Sequence, residues 1–339
     1  MKQTIYIRVD MNKEIATGHM MRCLSIADEI RNSGAEAIFI LADNNACGLL
    51  EKCGYEFAVL DTSWKDMDAE IPIMKRLIRD KHIKTLIIDS YAATADYLSA
   101  MTELTYTLYI DDLNRCDLSV DVILCYAIYA DRQIYIENCA CKSSELLLGT
   151  DYVPLRKVFR NIPKKVIREK VENILILSGG GDPYRTIDQC IGVLSKKSTI
   201  EIHAICGRYS EQAEELRRMY KNMPNIHIHE TVDNIEVYMQ EADICISAAG
   251  TTLYELCACG TPTLSYILAD NQIDNARGFD EKGLIPYLGD VRKHDIGICV
   301  QEALNQLEDA GSRKDISEKM RMLIDGKGCY RIIKEFQVL

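Results

Sequence analysis

The sequence lacks the cysteine spacings that are typical of structural metal sites. It contains 14 cysteines but no Cys-x-x-Cys pair, and its close pairs, Cys139/Cys141 and Cys257/Cys259, are each separated by a single residue. Others, such as Cys125, lie inside apolar runs, where a free thiol behaves as a small hydrophobic side chain. We therefore expect reduced thiols and no metal site.

Excess positive charge is also missing. The 40 lysines and arginines are outnumbered by 51 aspartates and glutamates, which gives a formal net charge of −11. Because contacts from basic side chains to phosphates dominate nucleic-acid affinity, we expect no nucleic-acid partner. A local pocket for one small anionic ligand is still compatible with this charge.

Long apolar runs are absent as well. The chain shows neither a run of about 18 apolar residues nor the apolar core of a secretory leader. We therefore expect a cytoplasmic protein with no membrane partner. No short repeat or low-complexity segment stands out, and no pattern indicates an oligomeric state.

What the sequence does contain is a regular alternation of short apolar and amphipathic segments, which predicts an α/β fold. Several apolar segments are continuous β-branched runs, as in parallel strands covered on both faces. Strands are predicted at residues 4–9, 37–41, 56–60, 85–89, 107–111 and 120–125, with helices at 18–33, 66–81 and 95–104. Further strands, each followed by a helix, are predicted at residues 174–177, 201–205, 226–229, 244–247 and 263–266.

Two prolines and a basic run interrupt this alternation over residues 148–173, and we place a connection between two domains at about residues 161–172. The prediction is an N-terminal Rossmann-like domain over residues 1–162 and a C-terminal one over residues 163–326. Residues 327–339 are amphipathic, and we expect them to pack back on the first domain. Since ligands favour crevices between domains, we expect each domain to contribute half of the site.

The N-terminal motif joins a candidate general base to a candidate anion site. The first predicted strand is followed by a loop that reaches Gly18 and His19, and the next helix carries Arg22 on its first turns. In open α/β sheets ligands bind at this edge, and a helix dipole disfavours the cationic form of an imidazole at its N-terminus. His19 is therefore the candidate base, with Gly18, Arg22 and Asp10 as candidate substrate contacts.

Each of these residues also has an alternative role. Asp10 either orients His19 or caps the loop beneath it, and Arg8 and Arg22 are alternatively structural partners of nearby acids. The remaining histidines lie in predicted strands or polar connections. We interpret them as structural or surface residues: His82, His203, His227, His229 and His294.

A glycine-rich loop over residues 178–182 follows a predicted strand and precedes a helix. The backbone N–H groups of Gly179 and Gly180 can approach an anion there. Alternatively, the loop is a tight turn in which Asp182 caps the helix and Pro183 is its first residue. No Gly-Lys-Ser/Thr follows, so the loop is not a Walker motif, and both interpretations stay open.

A second glycine turn opens the helix that carries Glu255. Gly250, Thr251 and Thr252 offer backbone and hydroxyl donors at the helix start, which suits a diphosphate. Glu255, one turn further, is placed to accept hydrogen bonds from a ribose. Alternatively, Thr251 is an ordinary cap and Glu255 a solvated helix residue.

A strand after this helix leads into the segment DNQIDNA, which holds Asn271, Gln272 and Asn275. Amides between a strand end and a helix start are suited to reading sugar hydroxyls. The glycine turn, the Glu-bearing helix, Gly-Thr-Pro and this amide segment together resemble the nucleotide-sugar half of GT-B glycosyltransferases, particularly MurG-like enzymes.

The N-terminal RVD…TGHMMRCLSIADEI resembles the motif of the PseG/SpsG family, which is similar to GT-B transferases but hydrolyses a nucleotide sugar. Further matches are LIIDSY, YIDD, LLGTDYVPLRKVF and LSGGGD. The resemblance covers most of the chain and is weakest after Gly289. Thr17 departs from the glycine that the family often has at this position.

The resemblance implies a GT-B-like fold with two parallel sheets facing a central cleft. It also implies hydrolysis of a UDP-linked diacetamido-trideoxy sugar with inversion, as in UDP-2,4-diacetamido-2,4,6-trideoxy-β-L-altropyranose hydrolases, and no cofactor. His19 would be the catalytic histidine, and Tyr91 and Asn271, which match substrate-site positions of the family, would be catalytic residues at the reacting sugar. Without the resemblance, Tyr91 is interpreted as an aromatic residue of a turn. The alternatives are an inverting GT-B glycosyltransferase with a sugar acceptor and a non-catalytic sugar-nucleotide-binding protein.

Overall fold

The structure is a computed structural model that describes residues 3–15, 17–111, 119–138, 144–196, 199–207 and 210–336. The chain divides into two compact units. The N-terminal unit comprises Met1–Lys157 and Gly326–Leu339, and the C-terminal unit comprises Val158–Asp325. Each unit is built on its own parallel sheet with helices between the strands.

The N-terminal unit contains a seven-stranded sheet in the order β3-β2-β1-β4-β5-β6-β7. Its strands are β1 (Thr4–Val9), β2 (Glu36–Leu41), β3 (Glu56–Val59), β4 (Thr85–Asp89), β5 (Tyr106–Ile110), β6 (Val122–Cys125) and β7 (Glu145–Leu148). Its helices are α1 (Gly18–Asn32), α2 (Cys47–Cys53), α3 (Ile71–Lys81), α4 (Ala95–Thr102) and α5 (Arg132–Asn138).

The C-terminal unit contains a six-stranded sheet in the order β10-β9-β8-β11-β12-β13. Its strands are β8 (Asn173–Leu177), β9 (Glu201–Ile205), β10 (Ile226–His229), β11 (Ile244–Ala248), β12 (Thr263–Ile267) and β13 (Tyr287–Asp290). Its helices are α6 (Thr186–Leu194), α7 (Ala213–Met219), α8 (Ile235–Glu241), α9 (Thr252–Cys259), α10 (Ile273–Glu281), α11 (Ile296–Leu304) and α12 (Ala310–Leu323).

The last helix, α13 (Gly328–Phe336), belongs to the N-terminal unit and packs against α1. Arg331 donates a hydrogen bond to the carbonyl of Asp151 at 2.8 Å, and the Cys329 thiol lies 3.5 Å from the carbonyl of Leu155. Gly328 lies so close to this segment that a Cβ there would collide with the Val153 carbonyl. The absence of a side chain at Gly328 therefore permits this docking.

The predicted fold class, two Rossmann-like domains with parallel sheets, is confirmed. Predicted strand ends mostly agree within one or two residues, whereas β7 and β13 were not predicted. The second predicted helix, residues 66–81, begins only at Ile71, because residues 68–70 form a separate 3-10 turn and Pro72 lies in the first turn of α3.

The strand order reverses once in each sheet, between β1 and β4 and between β8 and β11. The carboxyl ends of these neighbours are level, with Val9 opposite Asp89 and Leu177 opposite Ser247. Ligands of open α/β sheets bind in the crevice at such a reversal point. A ligand site of the N-terminal unit is therefore expected at the loops after β1 and β4, and one of the C-terminal unit at the loops after β8 and β11.

Candidate active site

His19 lies at this reversal point in the N-terminal unit. It is the second residue of α1, and its Nδ1 lies 2.6 Å from Oδ1 of Asp89, the last residue of β4. Both side chains are buried, with His19 5 % exposed and Asp89 1 % exposed. The pair forms because the helix after β1 starts beside the end of the neighbouring strand β4.

Arg22 holds the same carboxylate from the next turn of α1. Its Nε donates to Asp89 Oδ2 at 2.6 Å and its Nη2 to Oδ1 at 2.5 Å, in a two-point contact. Its Nη1 donates to the hydroxyl of Tyr126 at 2.6 Å. The Cys23 thiol adds a weaker donor, 3.4 Å from Oδ2. Three side chains of α1 therefore converge on one buried carboxylate.

This environment determines which His19 nitrogen carries a proton. Burial opposes ionisation of Asp89, yet the charges and hydrogen bonds of Arg22 and His19 hold the pKa of that carboxyl well below its usual range. An ionised carboxylate only accepts hydrogen bonds, so Nδ1 must be the donor and the lone pair resides on Nε2. Within the described part of the chain, Nε2 makes no hydrogen bond, so it is free to accept a proton.

Tyr91 also contacts the imidazole of His19. The two ring centroids are 4.4 Å apart at an interplanar angle of 83°, an edge-to-face contact. Tyr91 is 41 % exposed, whereas His19 beneath it is buried. The structure thus brings together two of the three residues that the resemblance assigns to the reacting sugar.

Asp10 does not orient His19, so that suggestion was wrong. Its Oδ2 accepts from Arg8 at 2.5 Å, and its Oδ1 accepts from the backbone N–H of Ala42 at 2.8 Å. Arg8 also donates to both oxygens of Glu70, at 2.8 and 3.0 Å, and is fully buried. The alternative role for Arg8, a structural pair with nearby acids, is confirmed, and Asp10 joins it as a structural residue.

Sequence reasoning did not single out Asp89, Tyr126 or Glu70. The sequence does contain a signal for Asp89. This acid ends a predicted strand within the matched LIIDSY segment, in the same way that Asp10 follows the first predicted strand. Finding its partner requires knowing that β1 and β4 are neighbours. Tyr126 and Glu70 carry no comparable local signal.

In the C-terminal unit, the Gly250 turn opens α9 directly after β11. The N–H of Gly250 is held by the carbonyl of Ala248 at 2.9 Å. Thr251 occupies the N-cap position, but its side chain makes no capping hydrogen bond, and it is exposed. Thr252 and Glu255 are half-buried. The positive end of this helix dipole is therefore not closed by a side chain.

Asn275 supports this turn from below. Its Nδ2 donates to the carbonyls of Ala249 and Gly250 at 3.0 and 3.3 Å, and its Oδ1 accepts from the Tyr254 hydroxyl at 2.6 Å. Asn275 is 7 % exposed. The amide of Asn275 is therefore used to hold the backbone of this turn in place. The prediction from the sequence, that Asn275 contacts the ligand, did not anticipate this role.

The other two amides lie on a 3-10 turn after β12. Asn271 is exposed, and its side chain makes no hydrogen bond to any described residue. Gln272 accepts a hydrogen bond from the backbone N–H of Leu268 at 2.9 Å. Arg292 fixes the turn from outside through a 2.5 Å contact with Asp270. The turn is anchored at both ends and presents Asn271 outward.

The glycine-rich loop after β8 differs from the Gly250 turn in one important respect. The Asp182 carboxylate accepts from the backbone N–H groups of Thr186 and Ile187, at 2.8 and 2.9 Å, and so closes the N-terminus of α6. The helix starts at Thr186, which corrects the prediction that Pro183 is its first residue. Because a carboxylate already occupies this helix end, the structure favours the turn interpretation over phosphate binding.

Gly207 holds this loop in place by lacking a side chain. A Cβ on Gly207 would lie 2.5 Å from the carbonyl carbon of Gly180 and would also strike the carbonyl oxygen of Gly179. Backbone atoms cannot rotate away, so we expect Gly207→Ala to lower the free energy of unfolding by about 1–3 kcal/mol.

Denaturant melts of the purified chain test this expectation. The matched control is Gly192→Ala, an exposed position within α6 that has open space for a Cβ. It should stabilise the protein by about 0.5–1 kcal/mol, because alanine favours a helix interior over glycine. Equal melts for the two variants would contradict a tight contact at Gly207.

Several expectations concern features away from these sites. Among the described residues, no group of three or more His, Cys, Asp or Glu side chains is placed to hold a metal ion, and no helix is long and apolar enough to cross a membrane. His203 stacks on His227 at 4.6 Å and on His229 at 5.6 Å, between strands β9 and β10. The Cys139/Cys141 pair and Asp112 of YIDD lie outside the described residues.

Comparisons with known proteins add a family context. Residues 174–322 match the glycosyltransferase family 28 C-terminal domain. The spore coat polysaccharide biosynthesis protein SpsG of Bacillus subtilis is 22% identical over 342 residues, covering 98% of this chain and 97% of that protein. A Helicobacter pylori protein, named pseudaminic acid cytidylyltransferase and UDP-2,4-diacetamido-2,4,6-trideoxy-β-L-altropyranose hydrolase, is 25% identical over 275 residues.

The coverage of these relatives differs. The Helicobacter match covers 79% of this chain and 45% of that protein, and the chain spans about half the length of two of the curated relatives that it matches. Among solved structures, MurG of Acinetobacter baumannii superposes with a TM-score of 0.71 at 14% identity, covering 99% of this chain and 100% of that one. This structural likeness identifies the fold.

Proposed function

We propose that this chain hydrolyses a nucleotide sugar, and its similarity to SpsG and to a PseG-type protein, its match to the family 28 C-terminal domain and its MurG-like fold support the proposal. The proposed substrate is a UDP-linked diacetamido-trideoxy sugar, and the products are the free sugar and UDP. Pseudaminic acid or a related surface polysaccharide would be the destination. The observation that carries this proposal is the His19 Nε2 lone pair, fixed by Asp89 and placed beside Tyr91.

In the proposed mechanism, Nε2 of His19 takes a proton from water as the water oxygen forms a bond to the anomeric carbon. The attack comes from the face opposite the nucleotide, so the configuration at that carbon inverts. The bond from the anomeric carbon to the diphosphate oxygen breaks, and its electron pair leaves with UDP. Asp89 stabilises the imidazolium that forms, and a positioned base of this kind contributes about 10²–10⁴-fold to the rate.

We assign the nucleotide to the C-terminal unit. The uncapped start of α9, with Gly250, Thr251 and Thr252, supplies N–H donors and a helix dipole to the diphosphate as its charge grows. Glu255 is proposed to accept from the ribose, and Asn271 to contact the sugar. This assignment replaces the glycine-rich loop after β8, whose helix end is already closed by Asp182.

Incubation with a panel of UDP-sugars, followed by proton NMR without any acceptor, tests the proposal. We expect release of UDP together with free sugar of a single anomeric configuration, inverted relative to the substrate. The alternative is an inverting glycosyltransferase, which the family 28 match favours. No turnover until a sugar acceptor is added would support that alternative and would contradict hydrolysis.

A further inference from the structure

We propose that Arg22 is a positioning residue that keeps His19 in its neutral, proton-accepting form by balancing the charge of Asp89. The consequence for catalysis rests on the proposed function, whereas the charge balance itself does not. The sequence pattern suggested that Arg22 contacts the substrate or pairs with an acid. The geometry supports pairing with an acid, Asp89, and indicates what this pairing does for His19.

The argument begins with the two contacts of Asp89. The carboxylate lies 2.6 Å from Nδ1 of His19 and is held at both oxygens by Arg22. A carboxylate alone at this distance stabilises an imidazolium strongly, since opposite charges within a few ångströms favour each other in a buried site. An imidazolium has no lone pair on Nε2 and cannot act as a base.

Arg22 changes this balance because its guanidinium stays charged at any working pH. Its Nη2 lies 3.0 Å from His19 Nδ1 as well as 2.5 Å from Asp89 Oδ1. The cation therefore offsets the attraction of the carboxylate for a second proton on the ring and also repels an imidazolium directly. The hydrogen bond from Nδ1 to Asp89 survives, so the ring keeps its orientation without being driven to the charged form.

No other described group that faces the pair supplies this compensation. The Tyr91 ring, which meets His19 edge-on, and the Tyr126 hydroxyl, which accepts from Arg22, are uncharged phenols. Burial raises the pKa of the Cys23 thiol well above its usual value, so it is a neutral donor to Asp89. Arg22 is the cation in contact with Asp89 among the described residues.

The test replaces Arg22 with glutamine, which removes the charge but retains an amide N–H that can donate to Asp89. We expect the acid limb of the pH profile of kcat/KM to move upward by about one pH unit, because the nearby like charge that disfavours the imidazolium is removed. At pH values above the limb, the variant should recover most of its activity. Arg22→Lys is the comparison variant, because it keeps a positive charge although it loses the two-point contact, and its limb should lie closer to the original position than that of Arg22→Gln.

A purely structural role predicts a different result, in which Arg22→Gln loses activity equally at every pH. That outcome, or a limb in Arg22→Lys shifted as far as in Arg22→Gln, would overturn the proposal. If Arg22→Gln does not fold, Arg22→Met takes its place, because it also removes the charge and must move the limb in the same direction.

A measurement without substrate separates this inference from the proposed function. NMR titration of isotope-labelled histidine, with the His19 signals assigned by their loss in His19→Asn, follows the ring directly. We expect its titration midpoint to rise by about one pH unit in Arg22→Gln relative to the unmodified protein. If hydrolysis fails but this shift appears, the charge balance stands and the reaction assignment is wrong. An unchanged midpoint refutes the charge balance whatever the reaction.

Discussion

Replacing His19 with asparagine is expected to lower kcat for acceptor-free hydrolysis by about 10²–10⁴-fold, the contribution typical of a positioned general base. Asparagine is suited to this test because its amide nitrogen can occupy the place of Nδ1 and still donate to Asp89, 2.6 Å away. What it lacks is a lone pair at the position of Nε2. The fold and the carboxylate environment should persist while proton removal from water is lost.

The measurement is UDP release with the substrate identified by the NMR panel, together with calorimetric binding of UDP. Affinity for UDP should stay within about twofold, because the proposed nucleotide contacts lie on α9 and not on α1. His82→Asn is the control: His82 is exposed and ends α3 in a left-handed conformation that asparagine tolerates. Unchanged UDP release in His19→Asn would refute the assigned base. Absence of UDP release from the original protein, at measurable UDP affinity, would instead favour a non-catalytic binding protein.

The fold followed from the sequence because each element carries its own local signal. Strand β4, Thr85–Asp89, is a buried apolar run between a helix end and a turn, and its limits were predicted as observed. Strand β13, Tyr287–Asp290, was missed because only its last residue is buried and Gly289 has a positive φ. Its register against β12 is also irregular. A weakly buried strand does not need a regular pattern of apolar residues, so its sequence gives no hydrophobic periodicity from which to predict it.

The candidate site could be predicted only in part, because sequence distance misleads about proximity. His19 was identified from its place at the start of a helix after a strand. Asp10, nine residues away, was the apparent partner, yet the observed partner is Asp89, 70 residues away. The choice depends on which strand lies beside β1, and that information is topological. Buried ion pairs between residues far apart in the sequence, such as Arg8 with Glu70, likewise cannot be predicted without the fold.

The two glycine turns of the C-terminal unit show a further limit. Both were candidate anion sites, since each links a strand to a helix and supplies small residues. In the structure Asp182 closes the start of α6, whereas the side chain of Thr251 leaves the start of α9 uncapped. The two helix starts differ because the Asp182 carboxylate points at backbone N–H groups of α6. Its direction depends on the side-chain rotamer and the backbone conformation, which the composition of the turn does not specify.

Asp89→Asn is the second change with a large expected effect, because it acts on both activity and stability. Asparagine has one oxygen acceptor where aspartate has two, so it cannot hold both Arg22 and Nδ1 of His19. The alignment of the His19 ring is then lost, and kcat should fall by about 10²–10⁴-fold. Arg22, 5 % exposed, loses the charged carboxylate that its Nε and Nη2 contact in the interior. Removing one charge of a buried ion pair costs about 3–5 kcal/mol of unfolding free energy.

The pH dependence of this loss identifies its origin. The pKa of Asp89 is lowered in the folded state, despite the opposing effect of burial, by Arg22 and His19. The ionised pair therefore contributes stability that is fully present above the unfolded aspartate value, about pH 4, and is lost as pH falls through the lower folded-state value. Denaturant melts of the original protein and Asp89→Asn should differ most above about pH 4 and converge in stronger acid.

The double variant Asp89→Asn/Arg22→Gln separates the two effects. Removing the Arg22 cation as well should restore part of the stability, because the cost comes from the lost charge balance with Asp89 and not from a lost contact area. Activity should stay low, since Nδ1 of His19 still lacks its carboxylate. If Asp89→Asn alone is as stable as the original protein at pH 7, the pair with Arg22 does not bear the charge that the geometry assigns to it. If the double variant instead regains activity, orientation of His19 by Asp89 is not required for the reaction.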